Sequence, residues 1–390
     1  MTVDGAPRSA DALPHEAYLA ALASLRDVGP GRLRWLLTLG APEQAWHRLQ
    51  QGEPLSPPRR LRLERNELAE WRKQARTIRP HAVWQTCIDH RIGVVSLGAP
   101  GYPSVLAGDH RPPVVLFHRG DPDVLDAPRV AVIGTRRATG YGLRMADRLG
   151  RELAEAGVVV VSGLALGIDA AAHRGALAVE GAAPVAVVGA GLDDPCPARN
   201  RKLAEQVAAR GALLSEVPPG VPAAPWRFPV RNRILAALAQ VVVVVESAAS
   251  GGSMHTVREA LTRDRTVLAV PGPVDVRSSQ GCNLLLSEGA HPCLSTDDVL
   301  VALGLPARSV SRPDRALDGG GGAGATDPRP TPGPDAAAVL DELGWRPSTI
   351  EQLAARTGLD FRRLSVAVGE LESAGWVSRA GGWVERVARG

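Results

Sequence analysis

The segment at residues 226–233, Trp-Arg-Phe-Pro-Val-Arg-Asn-Arg, combines residue types that could hold a nucleic-acid strand. Trp226 and Phe228 offer aromatic faces on which bases can stack, and the Arg231-Asn232-Arg233 triplet lies at the predicted start of a helix. Guanidinium groups bind phosphate, and a helix N-terminus attracts anions, so we expect Arg231 and Arg233 to point together at one anionic ligand. Solvated arginines beside a core aromatic would give the same sequence, so the neighbouring loops must decide.

A second candidate, the loop Gly134-Thr135-Arg136-Arg137, directly follows an apolar stretch that ends at Ile133. In an open α/β sheet, ligands bind at the carboxyl ends of strands, where loop N–H groups and helix N-termini favour anions. The loop lacks the GxGxxG pattern of dinucleotide sites. Its two arginines therefore predict a phosphate-binding loop with an arginine clamp.

A third candidate follows the next apolar stretch and contains Ser162, Gly163 and Gly167. Its glycines permit close approach of the backbone to a ligand. Asp169 is a natural N-cap for the helix that follows, and His173 lies four residues further on the same helical face. Two side chains are too few for a metal site, so we expect capping and packing roles for this pair.

The turn from Glu246 to Ser253, which includes Ser250 and Gly251, again follows a strand and opens a helix. Such a turn resembles an anion-accepting backbone concavity. The candidate nucleic-acid-binding residues are therefore Gly134, Thr135, Arg136, Arg137, Ser162, Gly163, Gly167, Phe228, Arg231, Asn232, Arg233, Ser250 and Gly251.

Catalytic and metal-binding patterns are missing from the sequence. It has no nucleophile elbow, P-loop, HExxH motif or paired carboxylates. The four cysteines are scattered without a CxxC pair, which argues against zinc, iron–sulfur clusters and disulfides. The longest apolar runs are too short to span a membrane, and we expect no signal peptide, because the N-terminal residues contain no apolar run. We expect a cytoplasmic protein that is not an enzyme, with no catalytic residues, metal or cofactor.

The cationic residues are almost all arginine. The formal net charge is only +4, but of 45 cationic side chains all except Lys73 and Lys202 are arginine. Arginine can bind phosphate through two hydrogen bonds and can stack on bases. A high-GC genome also produces an Arg- and Ala-rich chain, so the positions of the arginines carry the argument.

Apolar stretches alternate with amphipathic ones from about residue 114 to 305. Near-continuous valine-rich strands separated by helices indicate a parallel sheet covered on both faces. We predict an α/β fold with a Rossmann-like, mainly parallel sheet. The strands are expected at 114–117, 130–133, 158–161, 185–188, 212–214, 241–245 and 267–270, and the helices at 141–156, 170–179, 200–209, 232–239 and 253–263.

The flanking regions have different patterns. Residues 15–80 follow a helical period around Asp27-Val28-Gly29-Pro30-Gly31, a turn found in helix-hairpin-helix units and in plain helix–helix connections alike. Residues 336–390 predict helices followed by a hairpin at Gly381-Gly382, the plan of a winged helix. We predict a helical domain at 15–80, a Rossmann-like domain at 81–305 with its core at 114–305, a disordered linker at 306–335, and a winged helix at 336–390.

The winged-helix segment has as many acidic as basic residues, so it lacks the positive charge typical of duplex-binding domains. A contact with protein is favoured for it. A duplex-binding regulator that acts through this segment is the less favoured alternative.

The run from Val130 to Val299 resembles the DNA-processing protein A family (DprA, also called Smf). The helical N-terminal region, similar to a SAM domain, and the winged helix match this family as well. The resemblance rests on the Gly134–Arg137 loop, Ser162–His173, Phe228–Arg233, Glu246–Ser253 and Ala269–Gly272.

The resemblance implies a cytoplasmic homodimer that coats and protects single-stranded DNA and helps load the recombinase RecA, in natural transformation or recombination. A single-strand-binding protein is a further implied partner. Arg136 matches the family's phosphate-contacting arginine, Arg231 and Arg233 match its RNR motif, and Phe228 matches an aromatic that meets a base. Thr135 stands where serine is usual, Leu166 where a cation is common, and Cys196 where a Tyr-Pro pair is common.

One enzymatic alternative remains at this point, a Rossmann-type nucleotide hydrolase similar to lysine decarboxylase-like proteins. The run Ser250–Thr256 partly echoes the glycine-rich turn of those hydrolases. However, Glu259 follows it in a shifted register, which disfavours this alternative.

Overall fold

The computed structural model describes residues 13–61, 63–195, 197–307, 329–343, 348–380 and 382–387. Contacts divide the chain into two compact units, Met1–Arg308 and Ser309–Gly390. Most of the predicted linker, residues 308–328, lies outside the described residues. None of the described helices is both long and apolar enough to cross a membrane.

The first unit contains a long series of alternating helices and strands. In chain order these are α1 His15–Ala23, α2 Gly29–Leu36, α3 Pro42–Gln51, α4 Arg65–Thr77, α5 Pro80–Asp89, β1 Gly93–Ser96, α6 Ser104–Ala107, β2 Val115–Gly120, β3 Arg129–Ile133, α7 Gly140–Glu155, β4 Val159–Ser162, α8 Ile168–Leu177, β5 Val185–Val188, α9 Arg201–Arg210, β6 Ala212–Ser215, α10 Arg227–Leu238, β7 Val241–Val244, α11 Ser253–Leu261, β8 Thr266–Ala269, α12 Gln280–Ser287, β9 His291–Pro292 and α13 Thr296–Ala302.

These strands form one sheet in the order β1-β2-β6-β5-β4-β3-β7-β8-β9. The pairs β1–β2 and β2–β6 are antiparallel, and the remaining pairs are parallel. The predicted α/β fold with a mainly parallel sheet is therefore confirmed. The sequence patterns missed the short strands β1 and β9, and they did not distinguish β2 as antiparallel.

Both faces of the sheet are covered, as the valine-rich strands predicted. Val130 and Val132 of β3 pack in a cluster with residues of α7 and α8. Ala131 and Ile133, whose side chains point to the other face, pack with residues of α10 and α11. Strands buried on both faces have no polar alternation, which explains their continuous apolar sequences.

The helices α1 to α5 pack against the β1–β2 end of the sheet. One hydrophobic cluster joins Trp46 and Trp71 of these helices to Phe117 of β2 and Leu203 of α9. The indole of Trp71 also donates a hydrogen bond of 2.9 Å to the carbonyl oxygen of Arg26. Helices and sheet thus share a core within the first unit, and the boundary between residues 80 and 81 stays a prediction.

The described residues of the second unit form α14 Pro334–Leu343, β10 Ser348–Thr349, α15 Ile350–Thr357, α16 Phe361–Ser373, β11 Val377–Ala380 and β12 Trp383–Arg386. Its three strands lie in the order β10-β12-β11, all antiparallel. Thr349 caps α15, which ends at Gly358 with a positive φ of 68°. These three helices, with β10 between the first two and the β11–β12 pair after the third, confirm the predicted winged helix.

Candidate nucleic-acid interface

A cavity of about 560 Å³ opens at the carboxyl ends of β3 and β7. The strand order changes direction here, because the chain leaves β3 for β4 on one side and later returns to β7 on the other. Ligands of open α/β sheets bind at such switch points. The cavity is lined by Ile133, Gly134, Thr135, Arg136, Arg137, Ala165, Asp169, Pro225, Phe228, Pro229, Arg231, Asn232, Leu235, Ser247, Ala248, Gly251, Gly252, Ser253, His255 and Thr256.

The loop after β3 is held to the end of β7 through Glu246. The backbone N–H of Thr135 donates to the Glu246 carbonyl at 2.7 Å, and both the N–H and the hydroxyl of Thr139 donate to its carboxylate. Gly167, with a φ of 80°, lies so close to the backbone of Thr135 and Arg136 that a Cβ would collide with them. The loop geometry is therefore fixed, and the side chains of Arg136 and Arg137 extend into solvent.

Arg136 stacks on Phe228 at the mouth of the cavity, with its guanidinium carbon 4.8 Å from the ring centroid. Phe228 is half-buried and lies in the first turn of α10, which begins at Arg227 and therefore earlier than the predicted helix at 232–239. The side chain of Arg137 makes no hydrogen bond or ion pair within the described part of the chain. The stacked guanidinium of Arg136, the free guanidinium of Arg137 and the ring of Phe228 thus lie together at the mouth of the cavity. We call this cavity the Arg136–Phe228 cavity.

Arg231 also lines this cavity, but its guanidinium is occupied by the protein itself. It is only 7% exposed and donates to the carbonyl oxygens of Gly163, at 2.8 Å, and Val187. Its Nε donates to Asn232 at 3.2 Å. Burial lowers the pKa of Arg231 to about 10, although Asp169 opposes this shift. Arg231 therefore joins the ends of β4 and β5 beneath the cavity.

Asp169 supports the same loop from below. Its carboxylate accepts backbone N–H groups of Gly163, at 3.1 Å, and Ala165, at 3.4 Å. Burial raises the pKa of Asp169, while Arg231 and these hydrogen bonds act in the opposite direction. The prediction that Asp169 is the N-cap of α8 is wrong, because the helix begins at Ile168 and its N-cap is Gly167. The carboxylate instead holds the loop that precedes α8.

Arg233 lies away from the cavity. It forms an ion pair with Glu216 and donates to the carbonyl oxygen of Arg111 at 2.7 Å. Residues two apart on a helix are rotated by about 200°, so Arg231 and Arg233 cannot face one ligand together. The expectation that both arginines point at one anion is therefore not met.

The other predicted residues lie either in the lining or directly behind it. Gly134, Thr135, Asn232 and Gly251 line the cavity, and the exposed Ser250 adjoins it. Ser162 is buried and donates to the Val132 carbonyl at 2.6 Å. Gly163 and Gly167 are packed too tightly against Arg231 and the Arg136 backbone, respectively, to admit a side chain.

The sequence analysis missed residues at the start of α11. Ser253 donates to the Ser247 hydroxyl at 2.7 Å, which shapes the turn before this helix. The exposed His255 and buried Thr256 lie in its first turn and line the cavity. Their position two and three residues after the predicted turn was the available signal.

Possible metal ligands do not cluster at the described part of the site. Among the described residues, no group of three or more His, Cys, Asp or Glu side chains could hold a metal ion. His173 is fully buried, neither ring nitrogen has a hydrogen-bond partner in the described chain, and burial lowers its pKa to about 3. Cys87, Cys282 and Cys293 are buried thiols, whereas Cys196 lies outside the described residues.

Comparison with known proteins identifies the family. The family model of DNA recombination-mediator protein A matches residues 93–304, and that of the DprA winged helix domain matches residues 323–382. Protein Smf of Synechocystis sp. is 34% identical over 307 residues, which cover 73% of this chain and 77% of that protein.

Two solved structures support the same assignment. The X-ray structure of DNA processing protein A from Streptococcus pneumoniae matches with a TM-score of 0.60 and 30% identity, covering 74% of this chain and 96% of that chain. The DNA processing protein A of Helicobacter pylori, described for its single-stranded DNA binding mode, matches with a TM-score of 0.50 and 31% identity over 55% of this chain and 95% of that one. The chain therefore belongs to the DNA recombination-mediator protein A (DprA/Smf) family and carries that family's winged helix domain.

Proposed function

We propose that the Arg136–Phe228 cavity binds single-stranded DNA. The observation that carries this proposal is the guanidinium of Arg136 stacked on the ring of Phe228 at the mouth of the cavity. Single-strand binding requires cations for the backbone and π faces for the bases, and the two are side by side here. Arg137 adds a free cation to the same loop, and the N-termini of α10 and α11 add backbone donors at the rim.

Within this proposal the predicted contacts have different roles. Arg136 and Arg137 contact phosphates, and Phe228 stacks on a base. Gly134, Thr135, Asn232 and Gly251 supply polar groups to the lining. Arg231 holds the backbone of the site in place from beneath it, and Arg233 braces the segment around Arg111.

The proposal extends to the mediator role and its partners. Membership in a family of recombination mediators supports a protein that protects single-stranded DNA and helps load RecA onto it, in natural transformation or recombination. The bound form we propose is a cytoplasmic homodimer, with a single-strand-binding protein as a further partner.

The competing functions have less support. Membership in a family of recombination mediators confirms the prediction that the protein is not an enzyme. The nucleotide hydrolase alternative is therefore wrong. In the winged helix, Arg363 pairs with Asp335 and Arg379 pairs with Glu372. Arginines neutralised in this way give little attraction for a duplex, so a protein contact stays favoured for this unit.

The test is competition between single-stranded and duplex DNA over a range of salt concentrations. We expect the single strand to bind more tightly, and log K to fall with log salt by about 0.7 per phosphate neutralised. An affinity independent of salt, or a preference for the duplex, would contradict the proposal.

A further inference from the structure

A second cavity, of about 620 Å³, lies on the other side of the first turn of α10. Its lining includes residues 27–30, which end the α1–α2 turn and begin α2, and Trp226 and Arg227 at the start of α10. We call it the Trp226 groove. Nothing in the single-strand proposal above uses it.

The ring of Trp226 is exposed, although rings of this size are usually largely covered in folded proteins. It is 62% accessible, and the guanidinium of Arg227 covers one face, with its carbon 4.9 Å from the ring centroid. Arg227 is itself held in place, because it donates to the Pro222 carbonyl at 2.6 Å. The ring is thus fixed on one side and free on the other, as a stacking platform must be.

The Trp226 groove adjoins the Arg136–Phe228 cavity. Arg231 lines both, and Trp226 and Phe228 lie two residues apart, on opposite sides of the start of α10. A strand with one base on Phe228 therefore has a second aromatic platform across a single helical turn, with the helix N-terminus between them to face the intervening phosphate.

The charges of the groove favour a base over a phosphate as its occupant. Its cationic side chains, Arg26, Arg227 and Arg231, are balanced by Asp27, Glu70 and Glu216. A neutral lining offers no net attraction to a polyanion, whereas stacking and hydrogen bonds to base edges remain available.

We propose that Trp226 is a second base-stacking position, so that the bound single strand crosses the first turn of α10 from the Arg136–Phe228 cavity into the Trp226 groove. This inference rests on the proposed function of that cavity. It commits to the same DNA strand as the occupant of the groove, rather than to a protein segment.

The experiment measures the affinity of the full chain for oligothymidylates of increasing length. The variants are Trp226→Ala, Trp226→Phe, Phe228→Ala and, as a matched control, Trp383→Ala, which removes an exposed tryptophan of the winged helix. Trp226→Ala should weaken binding of the longer oligonucleotides by about five- to 150-fold, the range of base–aromatic stacking, and leave the shortest binding oligonucleotide unaffected. Trp226→Phe should retain most of the affinity, and the salt slope should not change, because no phosphate contact is lost.

Each outcome separates this inference from the function on which it rests. If Trp226→Ala binds every length as the parent does while Phe228→Ala is weakened, the groove does not hold the strand and the proposed function stands. Equal weakening by Trp226→Ala at all lengths would also overturn a second position. If both variants bind as the parent does, the proposed site itself is wrong.

Discussion

Replacing Arg231 by alanine should reduce stability strongly, because this side chain serves the protein rather than the ligand. The substitution leaves the carbonyl oxygens of Gly163 and Val187 without their donor in a buried environment. Each unsatisfied buried group costs about 1–3 kcal/mol, so the two together cost about 2–6 kcal/mol. The middle of that range, about 4 kcal/mol, corresponds to a fall in Tm of about 6 °C, because a unit of about 300 residues has an unfolding entropy of about 2.1 cal/mol/K per residue.

The assay is thermal unfolding followed by circular dichroism, alongside single-strand affinity measured well below the Tm. Arg136→Ala is the control, because this exposed side chain should change the free energy of unfolding by no more than about 0.5 kcal/mol. Arg231→Lys should be intermediate, since one ammonium group can donate to the two carbonyls that Nη1 reaches but cannot replace the Nε–Asn232 hydrogen bond. An Arg231→Ala variant with the parent's Tm and no single-strand binding would refute this reasoning and restore Arg231 as a direct phosphate contact.

Three further outcomes follow from the structure. Deleting residues 306–390 should preserve single-strand binding, because both cavities lie within the first unit. Filter binding measures this, and if the truncated protein is folded but no longer binds, the site lies in the winged helix. Arg233→Ala should lower the Tm, since it leaves the partly buried carboxylate of Glu216 without its cation at a cost of up to about 3–5 kcal/mol, with little effect on the affinity of the folded protein; an unchanged Tm would contradict this. The pKa of His173 is lowered to about 3 in the folded chain against an ordinary 6.5. The contribution of the neutral imidazole to the free energy of unfolding is therefore fully present above pH 6.5 and is lost as the pH falls towards 3. In urea unfolding, the free energy of unfolding of the parent should therefore fall by about 2 kcal/mol more than that of His173→Gln between pH 7 and pH 5. If the two proteins lose stability in parallel, the titration of His173 is not the cause.

The fold could be predicted largely from the sequence because its signals are local. Strands buried on both faces must be continuously apolar, and the runs Val130–Ile133 and Val241–Val245 have that pattern. The direction of β2 is not a local property, since an apolar stretch reads the same in a parallel and an antiparallel pair. β1 and β9 are short edge strands whose pairing depends on the tertiary structure.

The site was predicted less completely, because sequence does not show which arginines are buried. Arg136 follows a strand directly and is exposed as expected, whereas Arg231 and Arg233 are long enough to reach carbonyl and carboxylate oxygens inside the fold. Helical periodicity alone places Arg231 and Arg233 on different faces of α10, and this signal was available from the sequence. The stacking of Arg136 on Phe228 joins residues far apart in the chain, so no local pattern could indicate it.

The most direct test of the central claim is the salt dependence of single-strand binding by Arg136→Ala and Phe228→Ala. The control is Arg148→Ala, which removes one exposed arginine from α7 and changes the net charge equally. Arg136→Ala should lose about 1.5–3 kcal/mol of binding free energy and reduce the slope of log K against log salt by about 0.7, because one phosphate contact disappears. Phe228→Ala should lose about 1–3 kcal/mol with an unchanged slope. Parent-like affinity and slope in Arg136→Ala, matching the Arg148→Ala control, would contradict the assignment of this cavity to single-stranded DNA.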